Sequence, residues 1–273
     1  MTTTIAGDGL DAKLAVLEAE LAAFGAVVVA FSGGADSAFL AAVAHRVLGP
    51  DGAEAVTAVS PSLAGAERDD CAALAAEWGL RWRSVQTDEM ARAAYRANDL
   101  DRCYHCKAEL MDVVAPIAAD RGATVVLGVN VDDLGDHRPG QRAATAAGAR
   151  FPLVAAGFTK DDVRAASRQL GLRTWDKPAA ACLASRIPYG TEVSVGLLGR
   201  VERAEAALRA LDLSVGDLRV RHYGDTARIE VDPARLGLVV AARADVVAAV
   251  RTCGYRYVTL DLEGFRSGNL NPG

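Results

Sequence analysis

The chain has 273 residues, 51% of them apolar and 24% charged, a balance that excludes intrinsic disorder and allows one large domain or two modest ones. No run approaches the roughly 18 apolar residues of a membrane span, and the first residues lack the basic region and apolar core of a secretory signal, so the expected compartment is the cytoplasm. The net charge of −5 argues against a broad nucleic-acid surface, and five cysteines, an odd number, favour reactive or metal-binding thiols over disulfides.

In chain order, Leu10, Leu14, Leu17 and Leu21 recur at helical spacing and predict an amphipathic helix over 10–24, stopped by Gly25. Val27–Phe31 reads as a short buried strand, broken by Gly33 and Gly34, with an Ala-rich helix from Ser37 to Val47. Strands follow at Ala55–Ser60, Arg81–Gln86 and Val125–Gly128, and helices at Arg68–Trp78 and 160–170, the last with Thr159 and Asp162 as an N-terminal cap. This alternation predicts an α/β fold, a parallel sheet with helices on both faces. After about residue 190 the order becomes helix (Val195–Leu211), two strands joined at Gly224-Asp225 (Leu218–Tyr223 and Arg228–Val231), helices starting at Asp232-Pro233 and near Asp245–Arg251, and a strand at Tyr257–Leu260. The expectation is two domains, 1–190 and a small α+β domain at 191–273, with the joint near Pro188–Gly190. Residues 191–273 hold 11 arginines against 11 acidic residues, so the whole net charge belongs to the first part.

The most informative segment is Val28-Val29-Ala30-Phe31-Ser32-Gly33-Gly34-Ala35-Asp36-Ser37. A buried strand runs into glycines and then into a helix. Glycines let the backbone approach phosphate oxygens, and N–H groups at the helix start face the negative charge. Ser32 and Ser37 add hydroxyl donors. Asp36 would repel bare phosphate, which points to a bridging Mg²⁺. Gly128 and Asn130 follow another buried strand, where a parallel sheet places ligands, and are expected to line the nucleotide site. Asp132, Asp133 and Asp136 read equally as a solvated turn, and Arg138-Pro139-Gly140 as the start of a segment covering the site.

Cys103 and Cys106 form a C-x-x-C pair that suits metal ligation, redox chemistry or simply a helix start. Cys182 lies in Asp176-Lys177-Pro178-Ala179-Ala180-Ala181-Cys182-Leu183-Ala184-Ser185-Arg186, where Lys177 and Arg186 are candidates to activate its thiol. Cys71 and Cys253 read as core residues.

The Ser32–Ser37 segment resembles the pyrophosphate (PP) loop of the ATP pyrophosphatase superfamily. That resemblance implies that the loop holds the β- and γ-phosphates of ATP and that adenine lies near Ala30 and Ser60. Together with Arg102–Lys107, Trp175–Gly190, Arg219-Val220-Arg221, Ala227–Glu230 and Thr259–Asn271, the chain resembles the LarE family, ATP-dependent sulfur transferases of nickel-pincer cofactor synthesis. The family implies ATP, Mg²⁺ and a substrate, pyridinium-3,5-biscarboxylic acid mononucleotide, whose carboxylates are adenylated and converted to thiocarboxylates. It also implies a homo-oligomer. Phosphate and carboxylate groups want arginine forks, and Arg219, Arg221 and Arg266 are the candidates, with Glu230 either orienting an arginine or binding a cation. Cys182 is then either the sacrificed sulfur donor, left as dehydroalanine, or a ligand with Cys103 and Cys106 of a [4Fe-4S] cluster that carries sulfide. The three-cysteine pattern favours the cluster. The competing readings are a tRNA 2-thiolation enzyme, disfavoured by the acidic charge, and a nucleotide-binding module without sulfur transfer.

Overall fold

The computed structural model describes residues 5–134, 139–178, 181–213 and 215–266. Asp136, His137, Arg138 and the end of the Thr259–Asn271 motif lie outside them. Along the chain run α1 (Ile5–Phe24), β1 (Val27–Ala30), α2 (Ala35–Gly52), β2 (Ala53–Val59), α3 (Gly65–Trp78), β3 (Arg81–Gln86), α4 (Ala93–Ala97), α5 (Arg102–Asp120), β4 (Thr124–Leu127), α6 (Pro139–Ala146), α7 (Pro152–Ala155) and α8 (Lys160–Gln169). After them come α9 (Val195–Arg209), β5 (Leu218–Tyr223), β6 (Thr226–Val231), α10 (Leu236–Ala241), α11 (Arg243–Thr252) and β7 (Tyr257–Leu260). The chain divides into two compact units. One takes residues 1–60, 65–89 and 103–180; the other takes 61–64, 90–102 and 181–273. No helix among the described residues is long and apolar enough to cross a membrane.

The first unit is an α/β fold around a parallel sheet of order β3-β2-β1-β4. β1 is central because its valines bury on both faces, as parallel sheets require. Val27 and Val29 join a core with Leu17, Phe39 and Phe158, while Val28 joins a second core with Met111 and Val114. β3 carries arginines and is largely exposed, the composition of a protected edge. Gly25 ends α1 at φ +70°, a conformation that L side chains avoid. The cap expected at Thr159 is a full capping box, with Thr159 accepting from the Asp162 N–H and Asp162 accepting from the Thr159 N–H. The helix over 102–120 is absent from the sequence reading; Pro116 inside it and the C-x-x-C at its start mask its helical period.

The second unit holds a three-stranded sheet of order β5-β6-β7. β5 and β6 are antiparallel through the two-residue turn Gly224-Asp225, with Gly224 at φ +59°. β7 returns parallel to β6 after α10 and α11. Val220, Ile229, Val231, Val246 and Val250 form the core. Two earlier segments belong to the same unit. Asn98, fully buried, donates to the carbonyls of Pro188 and Thr191 at 2.8 Å each. Ser62 and Tyr95 share a hydroxyl hydrogen bond at 2.6 Å.

Candidate active site

In the first unit, the C-terminal ends of β1, β2 and β4 gather the residues expected to bind nucleotide. β1 stops at Ala30, and the chain crosses to the first turn of α2 through Gly33, at φ +70°. The Phe31 N–H donates to the Val56 carbonyl at 2.8 Å, and the Thr57 hydroxyl donates to the Phe31 carbonyl at 2.8 Å, so the loop leaves a fixed strand end. Ser32 N–H donates to Ser37 Oγ at 3.2 Å, the two serine hydroxyls lie 3.1 Å apart, and Ser37 Oγ donates to the Gly34 carbonyl at 3.1 Å. Gly34 caps α2 without any side-chain cap. The first-turn N–H groups of an α-helix have no intrahelical partner, and an anion satisfies them.

Asp36 sits in that first turn and accepts from Asn130 Nδ2 at 2.9 Å. Burial raises the Asp36 pKa above the usual carboxylate value, against the lowering hydrogen bond from Asn130. A half-buried carboxylate penalised for its charge suits a cation shared with phosphate oxygens. Asn130 is itself fixed: its N–H donates to Asp133 Oδ2 at 3.2 Å, and its Oδ1 accepts from the Asp133 N–H at 3.3 Å. Gly128 has a steric reason to be glycine. A Cβ there would lie 2.7 Å from the Ser37 nitrogen and 2.8 Å from the Asp36 carbonyl carbon. Its place is packing against the first turn of α2. Ser60, just past β2, donates to the buried Glu89 carboxylate at 2.5 Å.

Cys103 and Cys106 lie at the start of α5, three residues apart and therefore on one face. Cys103 is exposed and Cys106 half-buried. Cys71 and Cys253 are buried. The Lys177 ammonium donates to Glu67, Asp70 and the Gly33 carbonyl.

In the second unit, Cys182 is half-buried and caps the 3-10 turn Leu183–Arg186. Its position is fixed from several sides. The Leu183 N–H donates to the Ser62 carbonyl at 2.8 Å, and Arg102 donates to the Ala184 carbonyl at 3.0 Å. Arg186 Nη1 donates to the carbonyls of Ala181 and Cys182 at 2.5 and 3.0 Å. The rest of its guanidinium pairs with the buried carboxylate of Glu205, which also accepts from the Val220 N–H at 3.0 Å. Burial would raise the Glu205 pKa, but the Arg186 charge and hydrogen bond hold it below the usual range.

Arg219 and Arg221, on β5 beside this turn, are buried. Arg221 pairs with the fully buried Glu230 at 2.8 Å and donates to the Ser185 carbonyl at 2.9 Å. Glu230 also accepts from Arg228 at 2.8 Å, so it orients arginines. Arg219 stacks its guanidinium over Phe265, 5.0 Å from the ring centroid. Burial, with the Arg186 charge beside it, lowers its pKa. An anion placed there would relieve both penalties. Arg266 is exposed and pairs with Glu263 at 2.5 Å. Among the described residues no group of three His, Cys, Asp or Glu side chains is placed to hold a metal ion. Glu205, Glu67 and Asp70 escaped the sequence reading, because long-range carboxylate partners leave no local signal.

The NAD synthase family model matches residues 12–111, which contain the glycine loop. An uncharacterized protein of Synechocystis sp. is 45% identical over 265 residues, covering 96% of this chain and 98% of its own. The pyridinium-3,5-bisthiocarboxylic acid mononucleotide synthase of Lactiplantibacillus plantarum is 40% identical over 263 residues, covering 96% of this chain and 95% of its own. An uncharacterized protein of Methanocaldococcus jannaschii is 24% identical over 242 residues, covering 88% and 91%. With a PP-loop in its strand–loop–helix setting and this identity running through both units, the chain is an ATP-dependent sulfurtransferase of the LarE family, the pyridinium-3,5-bisthiocarboxylic acid mononucleotide synthases.

Proposed function

We propose that the protein thiolates both carboxylates of pyridinium-3,5-biscarboxylic acid mononucleotide, with ATP as activator and Cys182 as the sulfur source. A carboxylate does not accept a sulfur nucleophile, because oxide is too poor a leaving group. The substrate carboxylate attacks the α-phosphorus of ATP, the bond to the β-phosphate breaks, and pyrophosphate leaves. The open first turn of α2 and the hydroxyls of Ser32 and Ser37 receive that pyrophosphate. Asp36, held by Asn130, would hold Mg²⁺, which neutralises charge on the phosphates when bound. The Cys182 thiolate then attacks the acyl carbon and AMP leaves, giving a thioester. Removal of the Cys182 α-proton breaks its Cβ–S bond. Sulfur departs with the electron pair as thiocarboxylate, and residue 182 becomes dehydroalanine. One chain carries one Cys182, so two carboxylates consume two chains.

The observation that carries this reading is the fixed Cys182 turn. Arg186, Arg102 and Ser62 hold its backbone, while the thiol stays half-exposed beside the strand that bears Arg219 and Arg221. Those arginines are assigned to the phosphate and carboxylates of the substrate, with Arg219, buried and stacked on Phe265, the first anchor. The test is release of AMP and pyrophosphate from ATP, stimulated by the pyridinium dicarboxylate and accompanied by thiocarboxylate formation. ATP cleavage without sulfur transfer would leave only a nucleotide-hydrolysing module.

A second reading rests on Cys103 and Cys106, one turn apart on an accessible helix face. There a [4Fe-4S] cluster on the three cysteines supplies sulfide repeatedly, and anaerobically purified protein contains iron and sulfide near four each per chain, the stoichiometry of such a cluster.

A further inference from the structure

Lys177 is five residues before Cys182 in the chain, yet its side chain reaches the phosphate loop. Its ammonium has three N–H donors, and each has a partner. Asp70 accepts at 2.7 Å, Glu67 at 2.8 Å and the Gly33 carbonyl at 3.1 Å. Arg173 grips Asp70 from the other side at 2.6 Å, which fixes the carboxylate that fixes the lysine. The lysine side chain is 17% exposed. A Cβ on Gly33 would lie 3.7 Å from the ammonium and 2.9 Å from Cys71 Sγ, so the loop is braced along this whole side.

The trans peptide is planar, and its C=O and N–H point in opposite directions. Gly33, at φ +70°, is free to rotate its peptide in a way other residues are not. Pinning the Gly33 carbonyl therefore sets the direction of the Gly34 N–H, which faces away from Lys177. Gly34 is the uncapped start of α2, where an anion would sit.

We infer that Lys177 is a positioning residue for ATP: clamped by Glu67 and Asp70, it holds the Gly33–Gly34 peptide with its N–H turned toward the β- and γ-phosphates. This rests on the reading of Ser32–Ser37 as the phosphate loop. The two carboxylates balance the ammonium, so it serves the loop as a donor to one carbonyl and not as a loose cation competing for the nucleotide.

The test is calorimetric titration of the full chain with magnesium-ATP and, separately, with AMP, which lacks the phosphates the loop would hold. Lys177→Met is expected to weaken ATP about tenfold, the worth of one well-made hydrogen bond to a charged group, and to leave AMP within about twofold. Lys177→Arg is expected to restore most of the ATP affinity, since a donor returns. Asp70→Asn is expected to weaken ATP by a smaller factor and to add nothing in the Lys177→Met background, because Asp70 acts through the lysine. Unchanged ATP affinity in a folded Lys177→Met would overturn the inference, as would an equal loss for ATP and AMP. Tighter ATP binding by Asp70→Asn would mean that Lys177 touches phosphate directly and would also overturn it; this arm decides the matter if Lys177→Met does not fold. A wild-type chain that binds ATP no better than AMP would instead refute the phosphate-loop reading, and this inference with it.

Discussion

Arg186 and Glu205 form a buried, two-pronged ion pair, Nε to Oε1 at 2.9 Å and Nη2 to Oε2 at 3.3 Å, while the remaining Nη1 holds the Cys182 carbonyl at 3.0 Å. Glu205 also takes the Val220 N–H. One carboxylate thus ties the cysteine turn to the strand carrying Arg219 and Arg221. Breaking a buried pair from one side leaves an uncompensated charge, so Glu205→Ala is expected to cost about 3 kcal/mol of unfolding free energy, read by denaturant titration. The folded pKa of Glu205 is depressed. Its stabilising contribution is therefore complete above the unfolded value of 4.5 and lost as pH falls through the folded value. The variant should accordingly show a shallower fall in stability on acidification than the wild type.

Asp36 runs the other way. Its folded pKa is raised by burial, so ionisation costs stability as pH rises through that value. Asp36→Asn is expected to melt no lower than the wild type at neutral pH, while ATP turnover falls by about 100-fold or more, as when a charge-stabilising group is removed. A thermal melt and a pyrophosphate-release assay check the two arms together.

Gly128 packs against the first turn of α2 closely enough that any Cβ collides with backbone at 2.7 Å. Gly128→Ala should destabilise the protein by about 1–3 kcal/mol through overpacking. Because the displaced group is the helix start proposed to meet phosphate, KM for ATP should rise with it. A loss of stability with unaltered KM would separate Gly128 from the nucleotide site.

Cys182→Ser removes the sulfur but keeps the turn, in which residue 182 takes part through its backbone carbonyl. It is expected to release pyrophosphate with the pyridinium dicarboxylate yet form no thiocarboxylate. The double variant Cys103→Ala/Cys106→Ala is expected to retain one turnover per chain.

The phosphate loop and the parallel sheet were legible because their signals are local: valines running into Gly33-Gly34 and then into a helix leave few alternatives. The capping box at Thr159–Asp162 was legible for the same reason. The residues that hold the site were not. Lys177 meets Asp70 across 107 positions and Arg186 meets Glu205 across 19, and neither spacing has a helical or strand period. The arginines at 219 and 221 stood out as anion forks, but their burial and the Glu230 carboxylate between Arg221 and Arg228 come only from the register of β5 on β6.

Sulfur is proposed to come from Cys182 itself. This is tested most directly by mass measurement of the protein after a single turnover with ATP, magnesium and the pyridinium dicarboxylate. The expected result is a loss of about 34 Da, the mass of hydrogen sulfide, located at residue 182 and matched one to one with thiocarboxylate formed. An intact Cys182 after several turnovers, in protein containing iron and sulfide, would contradict it.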